Sequence, residues 1–461
     1  MRLYGRLFGA LAAAIFLSCA GSARAQTNVT FPDPNLEEAV RSALGEPTGA
    51  LTAADLGTLT TLFADWRQIT NLSGLEYATN LTTLSLYYDA LRDVSPLGGL
   101  ENLRYLYLPG NHLTDVRPLA NLSQLLSLDM SFNGLEDAAP LLALTNLQFL
   151  DIGSNPLTNY VVVAGLTSLS ELSLRQLSIR DPSFVGSLTN LTSLNLMMNQ
   201  IDTLPPLPGL RNLDSLDLRN NPLTNAAALS AATNLTALFL DNCPLQNVNF
   251  LPVLARLSNL YLQSINLSDL TPLAGLTNLA MLVVNGNPLT NPAVLGGLTN
   301  LATLYAGSCS LSNMDFVGSL TRLYWLNLNG NRISDLAPVL ALRNLHDLYL
   351  DQNRLTNIFG LQDLPALHTV VLEQNLLDVS PGSPALIIIT NLQARGVFVA
   401  YLPQDQPPVI EIPANWTVPM NRTTSLSFYV SDDVTPADQL AVTAASANTN
   451  LLPEAGLVLQ H

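Results

Sequence analysis

From residue 59 onward the chain repeats one hydrophobic pattern. Leucine returns every 22 residues from Leu59 to Leu367, fifteen times in succession, without an insertion or deletion. Residues 323–344, LYWLNLNGNRISDLAPVLALRN, show the unit: Leu323, Leu326, Leu328, Ile333, Val339 and Leu342 are apolar, and Asn331 is the fixed polar position. The Leu-x-x-Leu-x-Leu segment alternates with a period of two, which predicts a short strand with one buried face. Asparagine then turns the chain inward, where its amide can serve buried backbone groups. The second half is rich in proline and short apolar spacings, too brief for an α-helix, and predicts a 3₁₀ or extended return.

One such unit cannot bury its leucines alone. Stacked units cover one another, with strands about 4.8 Å apart in a parallel sheet, so fifteen of them span roughly 70 Å. Returns and strands of unequal width bend the stack into an arc. The turn position is Asn at 111, 133, 155, 199, 221, 287, 331, 353 and 375, and is Arg67, Asp89, Leu177, Cys243, Ile265 and Cys309 elsewhere. Cys243 and Cys309 stand three units apart, about 14 Å along the stack. A disulfide needs Cα atoms within about 7 Å, so these thiols are expected in the core, unbridged.

These features resemble the 22-residue bacterial leucine-rich-repeat class of the internalins, over residues 59–388. The resemblance implies an α/β-type solenoid, concave parallel sheet, 3₁₀ or extended convex returns and a binding role. It also implies that cysteine is an ordinary substitute at the turn.

The ends read differently. Residues 1–25 have the form of an export signal: Arg2 and Arg6, an apolar run from Leu7 to Leu17, then Ala23-Arg24-Ala25 before Gln26. That run is too short to span a membrane, which takes about 20 apolar residues. Phe16-Leu17-Ser18-Cys19 offers a rival reading, lipidation at Cys19. Residues 26–58 predict a helical cap, with a helix start at Asp33-Pro34 and a second at Thr52 and Asp55. Ala385 to Leu402 is expected to add one irregular turn and a final strand, and Gln404 to Pro408 to form a linker; the domain bounds place cap and linker at 389–406. Residues 407–461 resemble the opening half of an immunoglobulin- or cadherin-like β-sandwich, a module of about 100 residues when complete. The chain is therefore expected to be a fragment of a longer protein.

Composition narrows the function. With 48% hydrophobic and 12% charged residues the chain is too apolar for disorder. Its net charge is −16 and all 19 basic residues are arginine, so nucleic acid is an unfavourable partner. Without lysine there is no Schiff-base or P-loop chemistry. Residues between the strand leucines face outward. The fifth-position column carries Tyr107, Asp129, Asp151, Asp217, Phe239, Tyr261, Tyr305 and Tyr349, and the third carries Tyr105, Phe149, Glu171, Trp325 and Asp347, with Tyr87 and Tyr88 extending it. Aromatic side chains dominate binding hot spots, although strands favour them on any surface. Two patches result: Tyr87, Tyr105, Tyr107 and Phe149; and Tyr261, Tyr305, Trp325 and Tyr349. Asp129 and Asp151, one unit apart, read as a solvated acidic stripe rather than a Ca²⁺ site or an acid–base pair. His346 and His368 beside Asp347 carry zinc-ligand chemistry, but three converging ligands are not evident from the sequence.

The expectation is a secreted or cell-surface recognition protein, a monomer without cofactor, metal or catalytic residues, binding an extracellular protein on the concave face. A carbohydrate-binding adhesin and a structural spacer are the alternatives.

Overall fold

The computed structural model describes residues 27–206 and 211–404, and the backbone of the strands Val409–Glu411 and Tyr429–Ser431. The expected leader, Cys19 and the C-terminal module lie outside the described residues, apart from that antiparallel strand pair. The chain divides into two compact units, Met1–Leu257 and Ser258–His461. In the first, nine three-residue strands from Thr61–Phe63 to Ala237–Phe239 pair in parallel, each with the next in the chain. In the second, seven strands from Asn259–Tyr261 to Phe398–Ala400 do the same. Leucine faces leucine across the register, Leu62 opposite Leu84 and Leu326 opposite Leu348, all buried. The returns are 3₁₀ turns such as Arg117–Asn121 and Ala337–Ala341, where proline fixes φ and needs no amide partner.

Each of the first fifteen strands is followed, three positions after its last residue, by one residue in the left-handed region. It is Trp66 (φ 61°), Tyr88 (52°), Phe132 (54°) and Met198 (57°), as well as the cheaper Gly110 (68°), Gly286 and Gly330. The reversal turns the following side chain inward. There Asn331 donates Nδ2–H to the carbonyls of Ala306 and Leu328, both at 2.9 Å, and its Oδ1 accepts the amides of Cys309 and Leu311 at 3.0 Å. A turn amide in the core has no water to bond, so the side chain of the next unit replaces it. Asn199 and Asn287 likewise serve Leu177 and Ile265, whose own side chains have no polar atom to give. Cys243 and Cys309 are free and buried, their Sγ atoms 3.2 Å from the carbonyls of Leu218 and Val284. A thiol is a weak donor, and burial pushes that of Cys243 up to about 11.

Helix α1 (Pro34–Leu44) starts at Asp33. Oδ1 caps it, while Oδ2 accepts the Thr70 amide at 2.7 Å and its hydroxyl at 2.9 Å, tying cap to first repeat. Burial raises the Asp33 carboxyl, but the hydrogen bonds from Thr70, Leu36 and Asn35 outweigh it and hold it below its ordinary value. Helix α2 (Ala53–Leu56) is capped reciprocally by Thr52 and Asp55.

The far end departs from expectation twice. The irregular turn is an eleven-residue helix, α3 (Pro384–Ala394), capped by Ser383 and burying Ala385, Ile388, Ile389 and Leu392. Those positions have helical spacing, i, i+3, i+4 and i+7. Gln404 is no linker: it is 3% exposed, its Oε1 accepts the Leu377 amide at 3.2 Å and its Nε2 donates to the Leu372 carbonyl at 3.0 Å. Glutamine here performs the role of the asparagines.

Asp89 tests this rung chemistry. Its Oδ1 accepts the Arg67 and Ile69 amides at 2.9 and 3.0 Å, but Oδ2 replaces the donating NH₂ and has no partner. Burial raises its carboxyl. Asn331→Ala should therefore lower stability by on the order of 3 kcal/mol or more, having orphaned buried amides and carbonyls. Asp89→Asn should raise it by about 1 kcal/mol at neutral pH. Because burial raises the native carboxyl, that gain should shrink as acid protonates both states. Urea unfolding of the two variants beside wild type checks both signs.

Candidate functional site

The side chains at alternate strand positions point away from the leucine core and form the candidate surface. In the first unit the Tyr87 and Tyr107 rings stack, with centroids 6.1 Å apart and planes 10° from parallel. Tyr105 is 40% exposed; Phe149 is half-buried and lies two strands further on, across Ser127. Burial raises the Tyr87 phenol, and the charges of Asp129, Asp65 and Asp151 and the Tyr107 phenol add to that.

The acidic stripe is corrected. Asp129 and Asp151 face each other in register, but Asp151 is only 8% exposed. Each closes a local turn: Asp129 Oδ1 accepts the Ser131 amide at 2.9 Å, and Asp151 Oδ1 accepts that of Gly153 at 2.8 Å. Asp217 does the same with Arg219 at 3.0 Å. Aspartate at the fifth position is thus a turn former. Arg175, which sequence reasoning passed over, covers the pair. Its guanidinium lies 3.6 Å from Asp151 Oδ2, 3.4 Å from Ser131 Oγ and 4.6 Å from the Phe132 ring centroid. Burial and the neighbouring Asp129 raise the Asp151 carboxyl to about 6, against the hydrogen bond from Gly153 and the charge of Arg175.

Sequence reasoning also missed Trp66, 70% exposed and stacked on Tyr88 at 4.3 Å and 14°. Tyr88 leans over Gly110, where a Cβ would come within 2.3 Å of its ring. Both aromatics occupy the left-handed turn position, unfavourable for bulky side chains.

In the second unit Trp325 bridges two tyrosines. Tyr305 and Tyr349 both face Asn327 in register, one from each side, and the Trp325 ring lies 6.0 Å from one and 4.8 Å from the other. Its Nε1–H is buried without a partner. Burial raises the phenols of Tyr305 and Tyr349, with Asp347 adding to both. Tyr261 stands two strands from Tyr305, across Val283, its hydroxyl 2.8 Å from Met281 Sδ. Beside this column runs another, Tyr324, His346 and His368, stacked at 4.6 and 4.7 Å. The structure brings His346, Asp347 and His368 together, with one donor atom from each within 4.8 Å of the others. Two hollows lie off this face, beside α1 at Pro34, Glu37 and Arg41, and beside α3 at Phe359 and Ile388.

Residues 101–143 match the family described as leucine-rich repeats in two copies. The chain has the leucine-rich-repeat fold. It is similar to internalin H of Listeria monocytogenes, 43% identical over 61 residues, a match spanning 13% of this chain and 11% of that relative's length. A crystal structure of another Listeria monocytogenes internalin superposes with a TM-score of 0.55 at 27% identity, covering 73% of this chain and 100% of that one. A leucine-rich-repeat protein of Leptospira interrogans reaches 0.65 at 22% identity, over 75% and 97% of the two chains. The repeat region is thus similar to those of the Listeria internalins in fold and, over short stretches, in sequence. Among the described residues no helix is long and apolar enough to cross a membrane.

The Asp151 shift carries a pH dependence. Its native carboxyl titrates near 6 and its unfolded one near 3.8. The native state therefore binds the proton more tightly, and this contribution to stability is lost as pH rises between those values. Asp151→Asn keeps an acceptor for Gly153 and cannot ionise. Its stability relative to wild type should increase from pH 4 to pH 7, by at most about 3 kcal/mol. Thermal unfolding of both proteins across that range checks it.

Proposed function

We propose that this protein is an exported recognition protein that binds an extracellular protein partner through the outward side chains of its strands. The carrying observation is the Tyr305–Trp325–Tyr349 column. Three rings held over successive strands lose little conformational freedom on binding and offer large apolar area with polar edges. Tyr105 and the stacked Tyr87 and Tyr107 extend the proposal to the first unit, with Phe149 beside them. Asp129 and Asp151 act there as the frame of the turn. The occupation of both aspartates in turn hydrogen bonds favours recognition over catalysis. The proposal requires no cofactor, and the stack works as a monomer.

A glycan ligand is the second reading, and Trp66 favours it. A flat, exposed indole stacked on Tyr88 is a platform of the kind a sugar ring covers.

The test is binding of the full chain to a panel of extracellular proteins and cell-wall polysaccharides. It is run beside the variant Tyr305→Ala, Trp325→Ala, Tyr349→Ala. The expected result is a protein ligand whose affinity falls about a hundredfold or more in that variant, with the unfolding midpoint kept. Equal binding by both forms overturns the assignment to this column. Loss of a polysaccharide ligand on Trp66→Ala alone establishes the glycan reading instead.

A further inference from the structure

His346 and His368 occupy the same position in consecutive repeats, and the backbone holds them there. The His346 amide donates to the Tyr324 carbonyl at 2.9 Å and the His368 amide to the His346 carbonyl at 2.8 Å. Their imidazoles lie face to face, 4.7 Å between centroids and 8° from parallel. Asp347 follows His346, opens the strand Asp347–Tyr349 and is buried. Its Oδ2 is 2.9 Å from His346 Nδ1, a carboxylate contact of the kind that orients a metal-binding imidazole or shares the metal with it. His368 is exposed, with Nδ1 3.4 Å from Thr369 Oγ1.

We propose that His346, Asp347 and His368 form a binding site for a divalent transition cation of the zinc class. Their three donor atoms already lie within 4.8 Å of one another. Around a tetrahedral ion with bonds of about 2.0–2.2 Å, neighbouring donors stand roughly 3.3 Å apart. Closing that difference takes rotation of two side chains, of which His368 is exposed and His346 half-buried, towards a buried carboxylate that stays fixed. Two nitrogen donors out of three select zinc, nickel or copper over calcium and magnesium, which take oxygen. An aromatic stack alone would not need imidazole at both rungs with a buried carboxylate between strand and ring. The site adjoins the aromatic column, since Trp325 faces Asp347 in register.

The test is calorimetric titration of Zn²⁺ into the full chain, prepared without an affinity tag. The background carries His112→Ala and His461→Ala, which remove the other two of the four histidines. One equivalent should bind, and either His346→Ala or His368→Ala should weaken it by about tenfold or more. Zn²⁺ should also raise the unfolding midpoint of the background protein, and this rise should vanish in the double variant. Circular dichroism matching wild type shows that the variants are folded. Undiminished binding by the folded double variant, or no binding by the folded background protein, overturns the proposal. No partner enters this experiment, so its outcome is independent of the recognition reading.

Discussion

The backbone of each turn enters the leucine core with amides that need acceptors, and the side chain at the rung position of the following repeat supplies them. That hydrogen bond is the constraint on which the rest depends. Asn331 bonds its own unit through Leu328 and the preceding one through Ala306, Cys309 and Leu311. It therefore locks register as well as satisfying polar groups. A strand of three residues has too few ladder bonds to define its own alignment; the buried amide defines it. Substitutes preserve as much of this chemistry as they can: cysteine donates weakly, glutamine reaches from Gln404, and Asp89 keeps the acceptor while losing the donor.

Register in turn places the outward side chains. Because consecutive units repeat in phase, a ring at one rung meets a ring at the next, and Trp325 can fill the space over Asn327 between two tyrosines. The same repetition stacks two imidazoles and pairs two aspartates. The left-handed residue that ends each strand adds its own side chain to the edge of this surface. Trp66, Tyr88 and Phe132 bear the steric cost of that backbone and acquire ring or guanidinium contacts there.

Much of this was legible in the chain, because an unbroken 22-residue leucine phase assigns inward and outward positions residue by residue. The buried thiols, the helix start at Asp33 and the outward tyrosines follow from phase or from local capping chemistry. What escaped depends on other information. Left-handed backbone is usually flagged by glycine or asparagine, and here it is occupied by tryptophan, phenylalanine and methionine. The isoleucines of α3 are β-branched and disfavour a helix by type, which hides a buried spacing that is helical. Gln404 sits among linker residues and is distinguished only by what it bonds. The aspartates appeared solvated because their amide partners, two residues on, and the covering Arg175 are three-dimensional facts.

Contact between the aromatic column around Trp325 and the partner, on which the proposed function rests, is reported directly by tryptophan emission. The chain has three tryptophans; replacing Trp66 and Trp416 with phenylalanine leaves Trp325 as its only one, read against the emission of the partner alone. Saturation with the bound protein partner should shift its emission and shield it from acrylamide quenching. A partner that saturates the protein while Trp325 emission and quenching stay unchanged would contradict the account.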